Sequence, residues 1–174
     1  MAQHDASTAE CLVFTFKEGL LSKIAHDLKI QVTRFTVTID DASKAITAEL
    51  DARSLRVLGA VKDGRDDAHA LSEGDKTKIA GQIVSDVLHA NEYPSVRFAS
   101  TAVTVRDDGG YDITGNLTLH GVTKLVSTRT RLENGRQVAE FVIHQPDYGI
   151  KPFKAMMGTL KVQADVRVRC SIPA

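Results

Sequence analysis

The sequence predicts a mainly β protein: an antiparallel barrel of about eight strands with one α-helix. Three observations carry this prediction. Most segments alternate apolar and polar residues with period two, the pattern of strands with one covered face and one wet face. Two long strands slip parity midway, as an inserted bulge residue makes them, and bulged strands suit a strongly bent sheet that closes on itself. Only one stretch has the 3.6-residue period of a helix.

The elements follow in order. Residues 11–17 form a first strand, with Leu12, Phe14 and Phe16 expected on its inner face. GLLSKIA (19–25) reads as a single helical turn or a closing loop, and residues 1–9 as a flexible tail. The strand 27–40 places Leu28, Ile30 and Val32 on one parity and Phe35, Val37 and Ile39 on the other, hence a bulge between them. Strand 45–52 carries Ile46 and Leu50 on its apolar face, and 55–58 continues it. Residues 59–71 are polar, rich in Gly and Asp, and read as a connection.

Ile79, Ile83, Val84, Val87 and Leu88 then form an apolar helical stripe, capped by Ser72 or Asp75 and ended by Asn91 and Pro94. Strand 95–105 changes parity between Phe98 and Val103, so a second bulge falls near 100–102. Asp107-Asp108-Gly109-Gly110 makes a hairpin turn.

Next comes YDITGNLTLHGVTKLV (111–126), the most regular alternation in the chain. Tyr111, Ile113, Leu117 and Leu119 share one face, and Gly115 stands in that apolar register, where glycine marks a bulge, a bend or a close approach. His120-Gly121 turns the chain, and Val122, Val126, Thr128 and Leu132 continue on even positions. After an Asn134-Gly135 turn, Ala139, Phe141 and Ile143 face inward. Residues 145–158 are irregular. The final strand, 160–172, alternates throughout, with Leu160, Val162, Ala164, Val166, Val168 and Cys170 inward.

Composition narrows the function classes. A chain of 174 residues is expected to form one domain (1–174), and 22 basic against 22 acidic side chains leave no net charge to draw nucleic acid. The polar start has no apolar stretch of the kind a secretory leader carries, no run is long enough to be a transmembrane segment, and the expected compartment is cytoplasmic. Cys11 and Cys170 lie in the first and last strands, but the expected registers point them to opposite faces, so two free thiols are expected. No nucleophile elbow, phosphate loop, dinucleotide fingerprint or zinc motif is present, so neither a catalytic residue nor a metal or cofactor is expected. The six histidines are scattered and read as solvent or loop residues, with His26-Asp27 most simply structural. Arg129, Arg131, Arg136, Arg167 and Arg169 read as a solvated exterior balanced by Glu140 and Asp165.

Three stretches carry a family resemblance: SKIAHDLKIQVTRFTVTID (22–40), EYPSVRFAST (92–101) and YDITGNLTLHGVTKLV (111–126). In that order they resemble the YceI-like family of lipid-binding barrels, the last most specifically and the first a subgroup that begins Ala-His-Asp-Leu. That family's Arg-Asp-x-His-Leu run is met in part by Arg65 to Leu71, with one residue more before His69. The resemblance implies an elongated, lipocalin-like barrel around an apolar tunnel for a polyisoprenoid, isoprenoid quinone or fatty chain, for transport, storage or sequestration. The expected wall is Phe14, Phe16, Leu28, Ile30, Phe98, Leu117, Leu119, Phe141 and Val162, with Phe153, Met156 and Met157 as an adaptable gate. The sequence is compatible with a homodimer. Two other readings stay open: a solidly packed barrel serving as a protein-interaction or stress-response module, and an enzyme using His26 and Asp27.

Overall fold

The computed structural model describes residues 1–19, 25–158 and 160–174, without the side chain of Met156. The expected turn or loop at 19–25 therefore lies largely outside the described residues. The strands are β1 (Ala2–Asp5), β2 (Glu10–Thr15), β3 (Asp27–Val32), β4 (Phe35–Ile39), β5 (Ile46–Asp51), β6 (Leu55–Lys62), β7 (Arg65–Asp67), β8 (Ser95–Val105), β9 (Tyr111–Leu119), β10 (Val122–Glu133), β11 (Arg136–His144), β12 (Lys154–Ala155), β13 (Leu160–Lys161) and β14 (Asp165–Pro173). Helix α1 spans Glu73–Gln82.

Twelve strands form one antiparallel sheet in the order β1-β4-β5-β8-β9-β10-β11-β14-β2-β3-β6-β7, with β12–β13 a separate ribbon. β3 and β4 are successive halves of one chain segment, as are β5 and β6. Ladder β3–β6 therefore runs into ladder β4–β5, and the sheet curls back on itself. More strands appear than the eight expected because bends cut the long segments in two and short strands are added. Residues 2–5, expected to be flexible, pair with β4. Residues 59–67, expected to be a connection, complete β6 and form β7 around Asp63 and Gly64, both at positive φ (51° and 76°), the geometry of a tight hairpin turn.

The bend between β3 and β4 sits where the parity of residues 27–40 changes. Its partner is the corner between β5 and β6. The Thr33 N–H donates to the Ser54 carbonyl and the Asp51 N–H to the Arg34 carbonyl, so the ladder continues around the corner. The Asp51 carboxylate gathers the Arg53 N–H (2.8 Å), Arg53 Nε (3.0 Å) and Arg34 Nη2 (2.9 Å). Hydrogen bonds from Arg53, joined by Arg34, hold this carboxyl well below the usual carboxylate range. A depressed folded-state pKa contributes stability above the ordinary Asp value of about 4, lost as pH falls through the folded value. Asp51→Asn is thus expected to cost ~1 kcal/mol at neutral pH. In urea unfolding across a pH series, the gap to the parent should narrow as the pH drops below about 4; a gap constant with pH would rule out this role.

The second expected bulge is present, as a register shift between Ser100 and Ala102 in β8, and a further shift falls between Lys29 and Ile30 in β3. Helix α1 is capped by Ser72, whose hydroxyl accepts from the Asp75 N–H while the Asp75 carboxylate accepts from the Ser72 N–H. A π-helical turn (Ile83–Val87) extends it, closed by Leu88 N–H to the Ile83 carbonyl at 2.9 Å. The final strand does not run unbroken from 160. It breaks at 162–164, where Gln163 bonds to the backbone of Phe16 and Lys17.

Outside, Arg129 pairs with Asp112, Arg131 with Glu133 and Glu140, and Arg169 with Glu10, Glu133 and Glu140. Arg136 is not a free exterior cation: its Nε donates to Ser171 Oγ (2.6 Å) and its Nη2 to the Thr8 carbonyl (2.9 Å). Leu132, expected inward, is exposed near the end of its strand.

Candidate functional site

The curled sheet is hollow. A cavity of about 720 Å³ runs through it, bounded by β2–β5, β8–β11, β14, α1 and the π-helical turn. That volume is in the range of small-molecule sites. Alternation decides its character: each strand contributes every second side chain, and nearly all of these are aliphatic or Phe.

Of the twelve residues expected to form the wall and gate, eight line the cavity: Leu28, Ile30, Phe98, Leu117, Leu119, Phe141, Phe153 and Val162. Phe14 and Phe16 do not. Their strand faces the other way, and Cys11, Val13 and Thr15 point inward. Both faces of CLVFTF are apolar, so residue size does not determine parity. The phenylalanines are instead covered outside by the Arg167 guanidinium, at 5.0 Å and 5.7 Å from the two ring centroids. Met157 is fully exposed in a left-handed backbone conformation, outside the cavity. The Met156 side chain lies outside the described residues.

The same inversion overturns the expected placement of the cysteines. Cys11 lies directly opposite Cys170 across the β2–β14 seam, and both free thiols face the cavity with Sγ atoms 3.5 Å apart. Contact with Cys170 and burial push the Cys11 thiol up.

The two ends of the cavity differ. At one, the polar side chains are hydrogen-bonded to one another or to the backbone. Thr130 Oγ donates to Gln137 Oε1 (2.7 Å), Gln137 Nε2 to the Gly109 carbonyl (2.8 Å), and Thr128 Oγ to the Glu140 carbonyl (2.9 Å). At the other, His26, Asp75, Lys78, Gln82 and Lys161 border the space. Thr15 Oγ, also in the wall, is buried without a hydrogen-bond partner among the described residues. The parity error at β2 hid this hydroxyl from sequence reasoning. Asp27, beside His26, is occupied structurally: its carboxylate accepts the Lys17 N–H at 2.8 Å.

Two histidines are not simple solvent residues. His120 Nδ1 is 3.1 Å from the Tyr148 carbonyl, which can only accept, so the ring's Nε2 is left to accept from His89 Nδ1, also at 3.1 Å. This chain ties the β9–β10 turn to the helix end and to the segment beneath Ile150. Among the described residues, no group of three or more His, Cys, Asp or Glu is placed to hold a metal ion, and no helix is long and apolar enough to cross a membrane.

Comparison with known proteins agrees with this architecture. The model of the YceI-like domain matches residues 4–174. A UPF0312 protein of Pseudomonas putida (strain W619) is 35% identical over 92 residues, covering 47% of this chain and 48% of that one. One of Pectobacterium atrosepticum is 46% identical over 48 residues, 28% of this chain and 24% of the relative. The chain spans about half the length, or less, of the curated relatives it matches. Burkholderia cenocepacia BcnA superposes with a TM-score of 0.67 at 17% identity over 98% of both chains. A polyisoprenoid binding domain from Saccharophagus degradans superposes with 0.62 at 13% identity, over 99% of this chain and 97% of that one.

Proposed function

For a chain that belongs to the YceI-like domain family, we propose binding rather than catalysis: one long-chain apolar amphiphile, a polyisoprenoid, isoprenoid quinone or fatty chain, held inside the curled sheet for transport, storage or sequestration. The observation that carries this reading is the continuous apolar cavity of about 720 Å³. A solidly packed barrel would leave no such space. The solved Saccharophagus degradans relative, described as a polyisoprenoid binding domain, adds support from the same fold.

Leu28, Ile30, Phe98, Leu117, Leu119, Phe141, Phe153 and Val162 form the wall in this reading. Each methylene moved from water into such a wall contributes about 0.8 kcal/mol, so affinity grows with chain length until the cavity is full. The test is native mass spectrometry of the protein as purified, followed by organic extraction. A stoichiometric adduct that extracts as an isoprenoid or fatty chain is expected. A bare mass, unchanged after incubation with prenyl quinones, prenyl phosphates and fatty acids, would overturn the reading.

A further inference from the structure

We propose that Cys11 and Cys170 form an oxidation site in the cavity wall: a dithiol that hydrogen peroxide converts to a disulfide, latching β2 to β14. The site stands apart from the binding reading above and does not depend on which ligand the cavity takes.

Placement is the first argument. The chain holds two cysteines, 159 residues apart, and the fold makes them direct partners across the β2–β14 ladder. Both side chains line the cavity, with their Sγ atoms 3.5 Å apart. Directly opposite residues in an antiparallel ladder hold their Cβ atoms about 4.5–5.5 Å apart, and a disulfide draws them to about 3.5–4.5 Å. The sulfurs thus stand about 1.5 Å outside bonding distance. The cavity on their open side gives the side chains room to rotate through that gap. A free cysteine can serve as a small apolar filler. Filling does not require two of them to meet, and these two are the chain's whole complement.

Reactivity is the second argument, because the two thiols are not equivalent. Contact with Cys170 and burial push the Cys11 thiol up, whereas contact with Cys11 pulls the Cys170 thiol down against the opposing effect of burial. Cys170 therefore ionises first, and the thiolate is the nucleophile. It attacks one oxygen of hydrogen peroxide, the O–O bond breaks, and the departing hydroxide takes up the proton Cys170 released. Cys170 is then a sulfenic acid. The Cys11 sulfur attacks the Cys170 sulfur, the S–O bond breaks, and hydroxide leaves with the Cys11 proton as a second water. Two thiols and one hydrogen peroxide give one disulfide and two waters.

The position of the bond decides its effect. The β2–β14 ladder is where β2, β3, β6 and β7 join the rest of the twelve-stranded sheet. In the reduced protein this seam is held by its ladder and by side-chain packing around Cys11 and Val168. A covalent link there holds the curled sheet closed. It also ties together nearly the whole length of the unfolded chain, the condition under which a cross-link stabilises most.

The test treats the reduced protein with a small excess of hydrogen peroxide and reads mapped peptides and thermal unfolding. The expected product is a monomer in which the Cys11 and Cys170 peptides are joined, the pair lighter by about 2 Da. Its melting temperature should rise by about 10 °C and return on reduction with dithiothreitol. Cys11→Ser should stop at the Cys170 sulfenic acid, captured as a dimedone adduct. Thiols that persist, that pass to sulfinic acid without joining, or that link two copies of the chain would overturn the site. A disulfide that forms without raising the melting temperature would overturn the latch. A folded Cys11→Ser protein without the adduct at Cys170 would overturn the order of attack.

Discussion

Gly115→Val is expected to destabilise the protein by about 3 kcal/mol, the upper end for overpacking, and to lower its melting temperature by about 9 °C. A Cβ at this position would lie 2.5 Å from Phe98 Cζ and 2.5 Å from the Ala99 carbonyl oxygen. The ring borders the cavity and can yield into it, but the carbonyl cannot. The carbonyl belongs to the neighbouring strand, whose ladder pairs Ala99 with Asn116, and it cannot withdraw without opening that ladder. Gly115 also faces Ser100, at the edge of the β8 bulge. The missing side chain therefore lets the Phe98 ring lie against β9 and sets the local width of the cavity. Asn116→Val, on the exposed face of the same strand, is the control and should change little. Equal losses in both variants, measured by thermal unfolding, would remove the close-approach explanation.

The second large effect is expected at Leu117. Its side chain is buried, lines the cavity and sits opposite Phe98 across the β8–β9 ladder. Leu117→Trp places an indole in space a ligand chain needs. Because the interior is hollow, the extra volume enters the cavity and the fold should survive. Occupancy by co-purified lipid is expected to drop at least tenfold, roughly 1.4 kcal/mol of lost binding. Leu125→Trp, on the exposed face of β10, should bind as the parent does. Native mass spectrometry of the two variants decides the matter. A folded Leu117→Trp protein with full occupancy would show that this wall does not contact the ligand.

These residues also mark what could be read from the sequence. In β9 and β14 one parity is apolar and the other polar, and the side chains at Ile113 and Val166 face inward as the alternation requires; Phe141 of β11 does so too, although Val138 and Val142 make that strand's other face partly apolar. The bulge near Ser100 was legible because parity slips there; the slip after Val32 marked a bend between two strands instead of the expected bulge. Strand β2 was not legible, since Leu12, Val13, Phe14 and Phe16 give it two apolar faces. Its facing goes with ladders to β14 and β3, and the Arg167 guanidinium covers Phe14 on the outside. Once β2 was inverted, the thiol pair and the Thr15 hydroxyl were lost from view as well. Alternation assigns a face to each side chain, and the size of the space those faces enclose depends on sheet curvature, which local pattern does not encode.

The seam between β2 and β14 has a consequence for biosynthesis. It joins Cys11 to Cys170, among the most distant pairings in the chain. On the ribosome, β2 emerges before every strand of the sheet except β1 and waits for its neighbour β14 until all the others have been translated. Throughout that interval the inward apolar faces line an open trough with unpaired margins, and such margins recruit other chains. Non-local closure of this kind is also slow once translation ends. The nascent chain therefore faces its greatest aggregation hazard just before β14 arrives. A binding partner for the apolar trough, whether a chaperone or the amphiphile itself, would act most effectively in that window.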